Sequence, residues 1–400
     1  MALPNSVIGN FVRNGSPLNG EDLTDRLIAA ALWGGETELP GEWVSEAGVA
    51  NARSAYLNAR PVMFGADALL VRAMHRDDQL EELQITFVDA GSFFGYAEKK
   101  KGEAKQNLEQ RNIEFEENYT KVSEILEKQL GKFDKKPKES RRGRSRDLRA
   151  EYLEYEFDDQ GLVIRLLKAP SRLIRINISR KGREVDSWLD SSLEKVSDRE
   201  RLARYAGKVV KSERADVTID GVEVIPQGYR PYCGLNTLAM VSRYIGLHLD
   251  EDWLAVAGKF QNTGSAAGSD MMGLYHAVAR EAQLSMNRES RYDVNTVRKS
   301  LKMGLPVVVW RRWDSQRDRL HTKISREFAR GGEVRYESPD LKSLPSADKK
   351  SPVHASVIIG FNDERQEVIF LESWEAQSKP RRMPISEMKA TADWVFCFQP

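Results

Sequence analysis

The 400-residue chain predicts an α+β protein of two domains, an antiparallel α+β domain followed by a separate α+β unit. Three observations point there. A chain of this length exceeds what one ordinary core organises, so it divides. Residues 66–181 set short apolar runs around one long amphipathic stretch, the pattern of strands with a helix. From residue 225 onward the order changes, with helical patterns first and apolar strands last. The expected boundaries are a domain over 1–185, a helical connector over 186–224 and a second domain over 225–400.

Taken in order, EDLTDRLIAAALW (21–33) reads as an amphipathic helix, and ADALLVRAM (66–74) and LEELQITFVDAG (80–91) as strands around a charged turn. Leu108, Phe115, Tyr119, Val122, Leu126 and Leu130 recur at helical spacing, with Glu and Lys filling the other face. The basic stretch GKFDKKPKESRRGRSRD (131–147) reads as a solvated, mobile loop, since Pro, Gly and Ser accompany its charges and no aromatic interleaves them. AEYLEYEF and LVIRLLKA flank Asp158-Asp159-Gln160-Gly161 as a hairpin, and RLIRINISRK (172–181) follows as a further strand. LEKVSDRERLARYAGKVV gives the connector its helical character. Beyond it come helices over about 233–247, in DEDWLAVAGKF and in DMMGLYHAVAREAQL. The strand LPVVVW (305–310), a polar segment to residue 352 and two apolar strands precede the last strand, ADWVFCFQ.

Lys+Arg number 61 against 60 Asp+Glu, a balance that gives no global pull toward nucleic acid or an anionic membrane. No apolar run approaches the roughly 18–20 residues that span a bilayer. MALPNSVIGNFVRNG lacks the basic and long apolar regions of a signal peptide. A leader already cleaved would leave the same sequence and favour a secreted or periplasmic setting, so the compartment stays open. Cys233 and Cys397 are the two cysteines, too few for a disulfide framework or a zinc site.

Cys233 stands between the loop PQGYRPY and an apolar helical run. A helix N-terminus and a nearby imidazolium both favour thiolate, the nucleophilic form. Gly234 keeps the backbone beside the sulfur uncluttered, and the amide of Gln227, six residues upstream, can donate toward an oxyanion together with the Cys233 backbone N–H. Alone, such a cysteine is better explained as a small buried residue. A base changes that. Of five histidines, His354 opens the apolar strand HASVIIGFN, and QEVIFLESW follows it. An odd number of loop residues at the Asn362–Arg365 turn sets Glu372 opposite His354; an even number turns it away unless a bulge intervenes. Trp374 would pack over the pair and exclude water.

Gln-x5-Cys-Gly at a helix start, a His-led strand, then an acceptor followed by Ser-Trp resembles the papain-like cysteine peptidases over about residues 225–400. CGLNTLAMVSRYIG is most similar to the bacterial branch of bacteriocin-exporter-peptidase-like, or double-glycine-peptidase-like, domains. The resemblance implies a papain-like fold, with a helical lobe bearing the cysteine and an antiparallel β lobe bearing the histidine. It implies Cys233 as nucleophile, His354 as base and acid, Gln227 as oxyanion donor, and Glu372 where Asn or Asp usually stands. Glu375 follows Trp374 where a glycine is common, and CGLN replaces the papain-type run. These 400 residues contain no Walker-type nucleotide motif, which argues against an exporter role. The expected function is a thiol-dependent hydrolase of peptide or isopeptide bonds, with a peptide or protein substrate and no metal or organic cofactor. The alternatives are an acyl transferase using the same residues and a catalytically weak scaffold that binds a peptide or protein. Residues 1–200 select no role, and nothing in the sequence indicates an oligomeric state.

Overall fold

A computed structural model of the chain describes residues 16–95, 103–228, 230–260, 271–333, 336, 347–375 and 379–400, with side chains of the long helix described from residue 108. The chain is a two-domain α+β protein made of two compact units. One gathers Met1–Asp190 with Gly228–Pro231 and His248–Asp270; the other gathers Ser191–Gln227, Tyr232–Leu247 and Met271–Pro400.

The first unit is built on an eight-stranded antiparallel sheet. Its strands in chain order are β1 (Trp43–Val49), β2 (Ala52–Leu57), β5 (Leu70–Arg76), β6 (Gln79–Asp89), β7 (Lys138–Arg142), β8 (Ala150–Phe157), β9 (Leu162–Ala169) and β10 (Leu173–Arg180), with β3 (Val62–Met63) and β4 (Ala66–Asp67) forming a small hairpin apart. The spatial order is β1-β2-β5-β6-β10-β9-β8-β7. The helix Glu103–Leu130 buries Phe115, Val122, Leu126 and Leu130 in the core, the stripe that the helical spacing predicts. Each such side chain contributes roughly 1.5–3 kcal/mol on burial.

Alternation along β10 sends Ile174, Ile176 and Ile178 into that core and Arg175, Asn177 and Ser179 to the opposite face, which is also covered. There the helix Glu251–Ala257 packs against β10, and Asp250 at its N-cap accepts from Arg175 at 2.6 and 3.0 Å. Buried guanidinium groups are tolerated because each meets carboxylates.

Two sequence expectations change here. The basic stretch 131–147 is not simply a solvated loop: its centre is β7, an outer strand paired with β8. Arg142 in it is buried, donates to Glu82 at 3.0 and 3.2 Å, and lies over the Trp188 ring at 4.5 Å. The connector is helical only through Ser191–Glu194 and Asp198–Ala206, and then forms β11 (Val209–Lys211) and β12 (Asp216–Ile219).

Those strands belong to the second unit's sheet, with β13 (Ser285–Glu289), β14 (Val307–Arg312), β15 (Val353–Asn362), β16 (Glu367–Leu371), β17 (Arg381–Pro384) and β18 (Ala392–Gln399). One path runs β11-β12-β15-β14-β18-β13, while β16 pairs the other edge of β15 and β17 pairs β16. The helix Cys233–Tyr244 packs on β15 and β14. Every residue of it after Cys233 is buried, so this helix is central and lacks a polar face. Among the described residues, no helix is long and apolar enough to cross a membrane.

Candidate functional site

Cys233 is the first residue of its helix, and Tyr232 at the N-cap provides no side-chain cap. The first turn's N–H groups therefore remain oriented toward the chain entrance. The backbone N–H groups of Gly234 and Ala355 favour the thiolate at Cys233. The thiol is half-buried. Burial opposes its ionisation most strongly, yet the hydrogen bond and charge of His354, with those two N–H donors, hold the thiol below its ordinary range.

His354 is the second residue of β15 and is buried. Its Nε2 meets Glu372 Oε2 at 2.7 Å. Burial pushes the imidazole down, but the Glu372 charge and the bonds to Cys233 and Glu372 outweigh it and raise the ring to about 9. Glu372 is fully buried. Burial pushes its carboxyl up, and the His354 and Arg311 charges reverse this, bringing it to about 2.

The register explains how Glu372 comes to face His354. The turn between Asn362 and Glu367 has four residues, an even number that by itself turns Glu372 away. The ladder shifts between Ile358 and Gly360, so one extra residue on β15 restores the parity. Beyond this bulge Val357 pairs Leu371, and the next residues, Ser356 and Glu372, are joined by the Ser356 Oγ donating at 3.0 Å. Glu372 thus lies diagonal to His354 on the same face, rather than directly opposite it. Gly360 beside the bulge admits the β12 backbone: a Cβ there would sit 2.4 Å from the Val217 carbonyl oxygen. That glycine inside an apolar strand is the sequence signal for the bulge.

Gln227 is held on Ser373, the neighbour of Glu372. Its backbone N–H donates to the Ser373 carbonyl at 2.6 Å, and Ser373 Oγ donates to Oε1 at 2.8 Å. The amide oxygen is thereby assigned to Ser373, and the amide nitrogen is the opposite end. The upstream loop is also secured by buried Asn236, whose Nδ2 donates to the Ile225 carbonyl at 3.1 Å. Trp374 packs against the His354 ring at 5.1 Å between centroids, and Trp313 meets Trp374 edge-on at 5.7 Å. Glu375 is exposed.

Several residues here escape sequence reasoning. Arg311 on β14 is buried and donates to Glu372 at 2.6 Å. Ser356 completes the support of that carboxylate. Trp313 also brings the start of the polar segment after β14 to the site; residues 334, 335 and 337–346 of that segment lie outside the described residues. A third feature locks the helix start. Trp310 Nε1 donates to the Tyr275 hydroxyl at 3.1 Å, Tyr275 bonds Thr237, and Thr237 Oγ1 donates to the Cys233 carbonyl at 2.8 Å.

Gly234 is required by this packing, since a Cβ would stand 2.7 Å from Trp310 Cζ2. Gly234→Ala is expected to displace Trp310 from Tyr275, cost about 1–3 kcal/mol, and slow alkylation of Cys233 several-fold. Urea unfolding and alkylation rates on the same preparation check both parts.

Two other buried histidines pair with carboxylates: His248 with Asp190 at 2.7 Å and His321 with Glu387 at 2.9 Å. Such a pair is therefore not distinctive. His354 differs in also holding a thiol below its ordinary range.

Residues 219–396 match the model described as Peptidase_C39 like family. The match covers less than half of the chain and takes in the helix that begins at Cys233 and strand β15. Several solved structures resemble the chain, two of them bacterial. One is a C39-like peptidase from Bacillus anthracis, 16% identical, covering 46% of this chain and 98% of its own, with a TM-score of 0.31. The other is the peptidase domain of Streptococcus ComA, a bi-functional ABC transporter involved in a quorum-sensing pathway; it is 14% identical, covers 45% of this chain and 98% of its own, and has a TM-score of 0.29. No curated protein matches the chain. The C39-like segment contains Gln227, Cys233, His354 and Glu372.

Proposed function

We propose that the C39-like segment is a thiol-dependent hydrolase of peptide or isopeptide bonds. The observation that carries this reading is the buried His354–Glu372 pair at 2.7 Å, beside a thiol that His354 holds below its ordinary range and with the imidazole held above its own. In the proposed reaction the Cys233 thiolate attacks the carbonyl carbon, and the backbone N–H of Cys233 with the Gln227 amide stabilises the oxyanion. The imidazolium gives its proton to the leaving amine, which departs and leaves a thioester. His354, now neutral, takes a proton from water as it attacks; collapse releases the acid and regenerates the thiolate–imidazolium pair. Glu372 stays ionised and orients the ring. Transfer to an amine in place of water follows the same steps.

The second reading is a papain-like scaffold that binds a peptide or protein with little turnover. The family match and the fold support it directly, because both speak to architecture and neither requires turnover. The Glu at the acceptor position, already engaged by Arg311, is its specific motive.

The test is to incubate the full chain with a proteome-derived peptide pool in ¹⁸O-water. New carboxyl termini bearing the label, absent with Cys233→Ala, support hydrolysis; new amide linkages without label support transfer. Unchanged peptides that co-purify with the chain overturn the enzyme reading in favour of the scaffold.

A further inference from the structure

An arginine and a histidine meet one buried carboxylate in the second unit. Arg311 on β14 and His354 on β15 are cross-strand partners, so both side chains stand on one face of the sheet. Glu372 meets His354 Nε2 through Oε2 at 2.7 Å and accepts from Arg311 Nη2 through Oε1 at 2.6 Å. Ser356 Oγ bridges them, accepting from Arg311 Nε at 3.2 Å and donating to the carboxylate at 3.0 Å. None of the four is more than 8% exposed. Like charges directly opposite on adjacent strands repel, so a buried guanidinium beside an imidazole requires compensation.

Resting on the reading of Cys233 and His354 as the reactive pair, we propose that Arg311 is a positioning residue that balances the charge of Glu372 and so places the pH window of the thiolate–imidazolium pair. An unbalanced buried carboxylate raises every proton affinity around it: the imidazolium holds its proton to higher pH, and the thiol releases its own later. Arg311 offsets both effects. Other charged groups face it from neighbouring elements. Asp318, on the helix Ser315–Ala329, lies 4.0 Å from Arg311 and is itself gripped by Arg381 at 2.6 and 2.7 Å. His321 on the same helix feels the Arg311 charge and is paired with Glu387, which also binds Arg317. Arg381 also acts on Glu372, less than Arg311 does, whereas Arg311 bonds that carboxylate directly at 2.6 Å.

The experiment is the pH profile of iodoacetamide alkylation at Cys233 in the full chain, from about pH 4 to 11, which reads the thiolate directly. Its lower inflection marks formation of the pair and its upper one the loss of the imidazolium proton. Arg311→Met removes a positive charge, so both inflections move up, by about one pH unit. Arg311→Lys keeps the charge and leaves both near the wild type. Glu372→Gln moves both down. If Arg311→Met does not fold, the same comparison is made within Glu372→Gln, where adding Arg311→Met raises both inflections. A purely structural role would lower stability and leave the inflections in place, and that result overturns the proposal alone. A wild type without the lower inflection overturns the reactive pair and this proposal with it.

Discussion

Replacing His354 with alanine is expected to slow alkylation of Cys233 at about pH 6 by roughly two orders of magnitude. The sign follows from the groups around the sulfur. Burial disfavours the thiolate, and the His354 hydrogen bond and charge reverse that preference. Without the imidazole only the Gly234 and Ala355 N–H groups oppose burial. An ordinary thiol with a pKa of about 8.5 is only roughly 0.3% thiolate at pH 6, and a partly desolvated one is less. The wild type should therefore react fast below the ordinary thiol range and change again near pH 9, where His354 releases its proton. His276→Ala, on an exposed face of the helix Met271–Glu281, should react like the wild type. Equal rates for His354→Ala and the wild type at pH 6 would sink the reactive pair, whatever the family match.

The elements legible in the sequence are those whose burial follows one strong period. The stripe from Leu108 to Leu130 marks its helix because a single face is apolar, and the Asp158–Gly161 hairpin is marked by turn chemistry between two short strand-like runs. β1 and β2 escape because Trp43–Val49 and Ala52–Leu57 mix Ser, Ala, Gly and charge without clean alternation. The covered polar face of the first sheet escapes for a different reason. Arg175 and Arg142 read as solvated charges, and only partners distant along the chain, Asp250 and Glu82, make their burial tolerable.

The same division runs through the site. Cys233, His354 and Glu372 are visible as residue types at suggestive places, but the meeting of His354 with Glu372 depends on one inserted residue near Ile359 that loop counting alone predicts against. Arg311 is invisible as a site residue for a simple reason. An arginine ending an apolar strand ordinarily marks where the strand leaves the core, and here β15 and the Glu372 segment close over it.

The largest stability effect is expected at Gly304, between the helix Val294–Lys302 and β14. Its φ is +75°, which a side chain resists, and a Cβ there would lie 1.9 Å from the Tyr205 carbonyl oxygen and 2.3 Å from its carbon. Neither wall can give. Tyr205 is on the helix Asp198–Ala206, its hydroxyl donates to the Ile245 carbonyl at 3.0 Å, and its ring stacks on Tyr244. Tyr244 in turn donates to the Gly304 carbonyl at 2.7 Å. Gly304→Ala is therefore expected to cost about 3 kcal/mol or more, from left-handed strain and backbone overlap together. For a unit of this size that lowers Tm by roughly 10 °C, readable by calorimetry. The disturbed contacts hold the C-terminal end of the helix that Cys233 begins, whereas its N-terminal end is held by Thr237, Tyr275 and Asn236. Gly304→Ala should accordingly lower stability with little change in the alkylation profile, the reverse of the balance expected for Gly234→Ala. If both substitutions shift the profile alike, the helix moves as one rod and its two ends are not held independently.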